Sequence, residues 1–146
     1  MTKMRVGIAG YGIVGQRRRA FIDSHPMLRT VAVSDIKLER TEMPKGVRAY
    51  PQYQDLLTEN IDVLFVSLPN YIAPEATIAG LKAGLHVFCE KPPGRNIQDI
   101  VDVIRVERQC SSLKLKYGFN HRYHDSVREA IRLINSGDLG RVINLR

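Results

Sequence analysis

The sequence has little cysteine and no long apolar run. Two cysteines, Cys89 and Cys110, in 146 residues are too few for a disulfide scaffold and lack metal-ligand spacing, so we expect reduced thiols. No apolar run is long enough to cross a bilayer. The start, MTKMRVGIAG, lacks the order of regions that makes a signal peptide. These absences predict a cytoplasmic protein with no metal and no membrane partner.

Internal repeats and low-complexity linkers are also missing, and the composition is that of an ordinary globular domain with a sizeable core. The formal net charge of +7 is compatible with nucleic acid, an anionic membrane or an anionic small molecule. The densest basic cluster, Arg17–Arg19, points in several directions on a helix. No helix carries a basic stripe with interleaved aromatics. We therefore interpret the charge as a solvated surface and expect no nucleic-acid partner.

Short apolar runs alternate with helix-length segments, which is typical of βα units around a parallel sheet. The six expected strands cover residues 5–9, 30–34, 47–50, 62–67, 86–89 and 114–118. Residues 37–46 are expected to form a loop or a short helix, and residues 47–50 an edge-like strand. The predicted fold class is α/β: a doubly wound, mostly parallel sheet with helices on both faces, the Rossmann fold.

Two of the expected helices have apolar stripes that should face the core. After the N-cap Asn96, the stripe of the third helix is Ile97, Ile100, Val101 and Ile104. The stripe of the last helix, which Gly137 closes, is Val127, Ala130, Ile131 and Ile134.

A glycine motif opens the first helix directly after the first strand. Gly10-Tyr11-Gly12-Ile13-Val14-Gly15 has the spacing G-x-G-x-x-G, and this setting is the one that a dinucleotide fingerprint needs. The first glycine permits a tight turn, the second lets a pyrophosphate approach the backbone, and the third allows close helix–strand packing. The amides at the helix start then face the phosphates.

Asp35 completes the fingerprint at the end of the second strand. It follows Gly10 by 25 residues, close to the spacing of roughly 20 for the acid that binds the adenosine ribose. A carboxylate accepts bonds from both ribose hydroxyls and repels a 2′-phosphate, so NAD is favoured over NADP. Lys37 and Arg40 lie nearby and soften that preference. The alternative is that Asp35 only caps a turn.

Later motifs resemble one family over essentially the whole chain. The segments SLPN, GLHVFCEKP and KYGFNHRYHDSVREAIRLINSGDLGRVINLR are similar, in order and spacing, to those of the Gfo/Idh/MocA oxidoreductases. The resemblance implies NAD(P)-dependent hydride transfer to or from a secondary alcohol or ketone of a sugar or sugar nucleotide. It also implies a homo-oligomeric parent protein.

The resemblance assigns positions along the cofactor. The pyrophosphate is expected against the glycine loop, residues Gly10, Tyr11, Gly12, Ile13, Val14 and Gly15. The adenosine end should be bordered by Asp35 and Ile36. Where the cofactor crosses the sheet, the expected residues are Ser67, Leu68, Pro69 and Asn70.

The nicotinamide end is expected at Glu90 and Lys91, with Asn120 touching the cofactor and, like Arg122, facing the substrate. In the family, the lysine that matches Lys91 bonds to the substrate oxygen that changes between alcohol and ketone. Lys91 is therefore the expected catalytic residue, because an ammonium there orients the oxygen and stabilises its charge. Without the resemblance, Lys91 would be read as a surface lysine before a proline turn.

Two departures from the family pattern stand out. Ala73 occupies the place where the family usually has a histidine, and the family's acid/base residue comes from a C-terminal α/β domain. His121 and His124 are interpreted as loop and helix-start residues. The strand-like run RVINLR after Gly140 has no partner in the sequence, so we expect residues 1–120 to form the dinucleotide-binding domain. Residues 121–146 would be the last helix and the start of a missing substrate domain.

A second class of function is a non-enzymatic, NAD-binding regulatory protein of the same fold, because the family includes such members. The retained Lys91 favours an enzyme. In either case, this chain alone is expected to bind cofactor without turnover.

Overall fold

The computed structural model describes residues 2–144. Its strands are β1 (Met4–Ala9), β2 (Leu28–Ser34), β3 (Thr41–Met43), β4 (Val47–Tyr50), β5 (Val63–Val66), β6 (His86–Cys89) and β7 (Leu115–Tyr117). Its α-helices are α1 (Ile13–Ser24), α2 (Ala73–Lys82), α3 (Ile97–Gln109) and α4 (Asp125–Ser136). Two 3₁₀ helices lie at Tyr53–Thr58 and Asn120–Tyr123. Within residues 2–144, no helix combines the length and the apolar character needed to cross a membrane.

The strands form one sheet in the order β3-β4-β2-β1-β5-β6-β7. All neighbouring pairs are parallel except β3–β4, which is antiparallel. From β1 the chain moves outward through β2 to β4, and it then returns to the other side of β1 at β5. The loops after β1 and β5 therefore meet at the switch point of the sheet, where α/β folds bind their ligands. The predicted doubly wound architecture is confirmed.

Each face of the sheet has its own core. On one face Val6 and Ile8 of β1 pack with Ile22 of α1. On the other face Ala9 and Leu64 pack in a larger cluster with residues of α2 and α3. Because both faces are covered, the central strands are apolar at nearly every position, as expected of a buried parallel sheet.

The segment 37–46 was expected to be a loop or a short helix, and this expectation is wrong. Thr41–Met43 forms β3, which pairs antiparallel with β4 and takes the edge position that we expected β4 to hold. Thr41 and Glu42 are exposed, so no buried side chain marks the strand in the sequence. Backbone pairing with β4 forms it, and the sheet has seven strands rather than six.

The apolar stripe of α3 was placed on the wrong side of the helix. Ile97 is 82% exposed, and Val101 and Ile104 are about two-fifths exposed. The buried residues are instead Val103 and Val106. The helix carries two overlapping apolar stripes. Packing against α2 buries the stripe that contains Val103 and Val106.

The face of α4 that was expected to point inward is not buried by residues 2–144. Across Asp125–Ser136 no residue is buried, and Ile131 is exposed while Val127 and Ile134 are only half-buried. Gly137, with φ +80°, ends the helix as expected. Residues 141–144 of the expected strand RVINLR are not a strand, and residues 145–146 lie outside the described part of the chain.

The amino ends of β1 and β5 are joined by an ion pair. Asp62 accepts hydrogen bonds from the backbone N–H of Arg5 at 2.7 Å and from its Nε and Nη2 at 3.0 and 2.6 Å. The hydrogen-bonded guanidinium lowers the pKa of Asp62 to about 2. Because the pKa is lower in the folded state than in the unfolded state, this stabilisation is complete above the unfolded pKa and is lost as the pH falls towards 2.

We expect Asp62→Asn to lower the free energy of unfolding at pH 7 by about 1 kcal/mol, allowing for solvent screening of a partly exposed pair. The variant should also lose part of the decline in stability between about pH 4 and pH 2. Urea unfolding at several pH values checks both effects. Asp102→Asn, which removes the exposed pair with Arg105 on α3, is the control. Equal pH profiles for the two variants would contradict the assignment.

Candidate functional site

The loop after β1 is shaped by backbone contacts that only glycine permits. Gly10 has φ +90°, and a Cβ on it would lie 2.5 Å from the carbonyl oxygen of Ser67. A Cβ on Gly15 would lie 2.0 Å from the carbonyl oxygen of Gly10, so α1 packs directly on its own loop. At Gly12, by contrast, no heavy atom of residues 2–144 other than Gly12 and its chain neighbours lies within 4 Å of the Cβ position. Two glycines therefore close the loop and the third leaves it open to a ligand.

The start of α1 is prepared for an anion. Gly12 is the N-cap residue and provides no side-chain cap, and the first turn of the helix contains no acidic residue. The first helical hydrogen bond runs from the N–H of Gln16 to the carbonyl of Gly12 at 2.9 Å. The amides before it have no partner within the helix, and the positive end of the helix dipole is not neutralised. A diphosphate fits this opening.

Asp35 follows β2 at the same edge of the sheet. Its backbone N–H donates to the carbonyl of Tyr50 at 3.1 Å, and its Oδ1 accepts from the N–H of Lys37 at 3.1 Å. The carboxylate therefore does cap a turn, but it uses one oxygen to do so. It is half-buried and forms part of the walls of two depressions, of about 580 and 410 Å³.

Several residues that were expected to bind the nucleotide line these two depressions. The larger one is bordered by Tyr11, Gly12 and Ile13 of the glycine loop, and the smaller one by Ile36 and Leu68. Pro69 and Ser67, in the loop after β5, make backbone contacts. The carbonyl of Pro69 accepts the N–H groups of Ile72 and Ala73, both at 2.9 Å, and Ser67 packs against Gly10.

The two basic residues near Asp35 have different surroundings. Lys37 borders the larger depression. Arg40 instead donates to Asp55 at 2.6 Å and lies over the ring of Tyr50, 4.8 Å from its centroid. The charge of Arg40 is therefore paired with Asp55, whereas Lys37 borders the same depression as Asp35.

A third depression, of about 290 Å³, lies on the other side of the glycine loop. It brings together Val14 of the glycine loop with Glu90, Lys91 and Asn120. Lys91 is exposed. Arg122 does not border this depression. It is exposed on the 3₁₀ helix that begins at Asn120.

The two histidines that were expected to have no catalytic role lie in and directly after the same 3₁₀ helix. His121 and His124 stack with ring centroids 4.7 Å apart, and both are exposed. Ala73, at the position where the family usually has histidine, is the first residue of α2 and is 1% exposed.

Two arginines in the basic cluster are not the solvated side chains that the sequence suggested. Arg18 binds the carboxylate of Glu90 and donates to Asn120 Oδ1 at 3.4 Å. Arg19 donates to the hydroxyl of Tyr11 at 2.8 Å and pairs with Asp23 at 3.3 Å. A signal was available for Arg18, because three residues after Gly15 is close to one helical turn and places it near the face that packs on the sheet.

Another depression, of about 690 Å³, lies at the opposite edge of the sheet and includes Lys3, Arg29 and Asp62. It is formed by the amino ends of β1 and β5. Ligands of open α/β sheets bind at the carboxyl ends of the strands, so the three smaller depressions are the candidate site.

Comparison with known proteins shows that the sequence is similar to inositol dehydrogenases. The myo-inositol 2-dehydrogenase of Thermotoga maritima is 30% identical in an alignment that covers 98% of this chain and 44% of that protein. The inositol 2-dehydrogenase 3 of Saccharopolyspora erythraea is 29% identical over 94% of this chain and 42% of its own length. The chain thus spans less than half the length of these relatives.

Solved structures agree. The myo-inositol 2-dehydrogenase from Lactobacillus plantarum superimposes with a TM-score of 0.87 at 33% identity, covering 97% of this chain and 44% of that one. The scyllo-inositol dehydrogenase from Lactobacillus casei, solved with bound NAD(H) and scyllo-inositol, gives 0.84 at 27% identity over 95% of this chain and 43% of that one.

The family profile described as "Oxidoreductase family, NAD-binding Rossmann fold" matches residues 4–119. This range includes the glycine loop, Asp35 and Lys91. The chain belongs to the Gfo/Idh/MocA family of oxidoreductases and is its NAD-binding Rossmann domain.

Proposed function

We propose that this chain holds NAD across the switch point of its sheet. We further propose that the whole protein transfers a hydride between NAD and a secondary alcohol or ketone of a sugar, polyol or sugar nucleotide. The observation that carries the proposal is the contrast within the glycine loop. Gly10 and Gly15 have backbone within 2.5 Å of their Cβ positions, while Gly12 faces open space. Such a loop is closed on itself and open to one backbone-bound anion.

The residues of this chain divide the work of binding. The free amides at the start of α1 bind the diphosphate. Asp35 has one carboxylate oxygen bonded to Lys37 N–H and offers its remaining acceptor capacity to the adenosine ribose, while Ile36 and Leu68 border the depression on the adenine side. When bound, the cofactor supplies the hydride acceptor.

Lys91 is proposed as the catalytic residue at the other end. It borders the 290 Å³ depression together with Glu90 and Asn120, and its side chain is exposed. An ammonium there donates to the substrate oxygen, orients the alcohol and stabilises negative charge on that oxygen. Arg122, farther out on the 3₁₀ helix, is proposed as a substrate contact of the whole protein.

The relatives narrow the substrate class. Those named above are inositol dehydrogenases, so a cyclic polyol is the first substrate to try. A cytoplasmic location and a homo-oligomeric whole protein are proposed with it. Both cysteines are free thiols, which is compatible with that location.

We expect calorimetry to show tighter binding of NAD than of NADP by the chain. Asp35→Asn should weaken NAD binding about tenfold and remove most of the discrimination, because the amide keeps an acceptor for Lys37 N–H but loses the charge that repels a 2′-phosphate. Lys37→Ala should instead weaken NADP binding, since Lys37 is the cation beside that position.

Asp102→Asn, on the far surface of α3, is the control and should leave both affinities unchanged. Tighter binding of NADP by the unmodified chain would overturn the cofactor preference. Failure to bind either dinucleotide would overturn the proposed function itself.

A further inference from the structure

Three segments that are distant in sequence meet at the 290 Å³ depression. These are α1, the loop after β6 that carries Glu90 and Lys91, and the loop after β7 that begins the 3₁₀ helix at Asn120. Arg18 of α1 lies between the other two segments, and its side chain is 23% exposed.

The guanidinium of Arg18 is fixed on several sides. Its Nε binds the carboxylate of Glu90, and its Nη2 donates to Asn120 Oδ1 at 3.4 Å. Its plane lies over the ring of Phe88, 5.1 Å from the centroid, and Phe88 stacks on Phe65 at 4.8 Å. Arg18 therefore packs on β6 while it bonds to both loops.

Glu90 is held from the opposite side as well. Its backbone N–H donates to the carbonyl of Val66 at 2.8 Å, and its carboxylate lies so close to Gly118 that a Cβ there would be 2.7 Å from Oε2. The carboxylate is 13% exposed, so losing its cation would leave a poorly solvated charge. Arg18 therefore pairs with a largely buried carboxylate on the residue directly before Lys91.

We propose that Arg18 is a positioning residue for the nicotinamide end of the site. It holds the loop that carries Lys91, and Asn120, at a fixed distance from the glycine loop. One dinucleotide bound at the glycine loop can then contact both the Lys91 loop and Asn120. The inference rests on the proposed function. It predicts that Arg18 affects ligands that reach Glu90 and Asn120, and spares those that end at the diphosphate and its ribose.

The test compares NADH with ADP-ribose, which lacks the nicotinamide. By calorimetry, Arg18→Ala should weaken NADH binding about tenfold and ADP-ribose binding less than about twofold. Arg18→Lys should not restore NADH affinity, because an ammonium lacks the planar fork that reaches Glu90 and Asn120 together. The enhancement of nicotinamide fluorescence on binding should fall in both variants.

Glu90→Gln gives a second route to the same result, since it removes the charge pair and keeps the side-chain shape. It should show the same selective loss for NADH even if Arg18→Ala does not fold. Arg105→Ala, which breaks an exposed pair on α3, is the control and should change neither affinity.

Equal losses for NADH and ADP-ribose would overturn the inference, because they would show a general structural role for Arg18. Unchanged NADH binding in Arg18→Ala and Glu90→Gln would overturn it as well. If the unmodified chain bound neither ligand, the proposed function would fall, and the inference with it. Selective loss of NADH binding supports both.

Discussion

Replacing Gly12 by alanine is expected to weaken NAD binding at least about a hundredfold while lowering the free energy of unfolding by no more than about 1 kcal/mol. Apart from Gly12 and its chain neighbours, no described heavy atom lies within 4 Å of its Cβ position, and its φ of −72° suits alanine. The methyl group therefore enters open space in the free protein, but it would occupy the place proposed for the diphosphate. Calorimetry with NAD and urea unfolding measure the two effects separately.

Gly15→Ala is expected to differ, because its Cβ would lie 2.0 Å from the carbonyl oxygen of Gly10. Backbone atoms cannot move aside as a flexible side chain can, so α1 must shift away from the loop. We expect a loss of stability of about 3 kcal/mol together with the loss of NAD binding. If Gly12→Ala bound NAD as tightly as the unmodified chain, the diphosphate would not lie at this loop.

Removing the ammonium of Lys91 is the second large change. In the whole protein, Lys91→Ala is expected to lower kcat for NAD-dependent oxidation of a cyclic polyol by about a thousandfold, by analogy with the loss of a preorganised donor to a developing oxyanion. Binding of NAD should change far less, because the proposed contacts to the diphosphate and the ribose involve other residues. Formation of NADH followed by absorbance, with calorimetry in parallel, checks this separation.

Lys82→Ala, at the end of α2, is the matched control and should retain activity. Full activity of Lys91→Ala would overturn the catalytic assignment. A whole protein that bound NAD but oxidised no polyol or sugar would instead support the regulatory alternative. The present chain alone is expected to bind NAD without turnover, since it spans less than half the length of its relatives.

Local patterns predicted those parts of the site that lie close together in sequence. The strand, the glycine loop and the start of α1 were correctly placed, because each glycine role depends on residues within a few positions or on the adjacent strand. Asp35 was correctly placed after an apolar strand for the same reason. The family resemblance drawn from the later motifs is confirmed by the profile match over residues 4–119.

Features that depend on distant partners were missed or misplaced. Arg18 was interpreted as a solvated residue, because its partners Glu90 and Asn120 follow it by 72 and 102 residues. In α3, the sequence offered two apolar stripes, and only contact with α2 decided that Val103 and Val106 are buried. In β3, the pairing with β4 outweighed a sequence with no apolar alternation.

By itself, the sequence determined the fold class, the glycine loop and the acid that follows β2, because backbone conformation and hydrophobic periodicity are properties of neighbouring residues. The tertiary structure alone decided which helix face is buried, how the sheet edge is completed and that Arg18 bridges two loops beside Lys91. The physical reason is that side-chain burial and ion pairing depend on distances between segments, and only the folded sheet sets those distances.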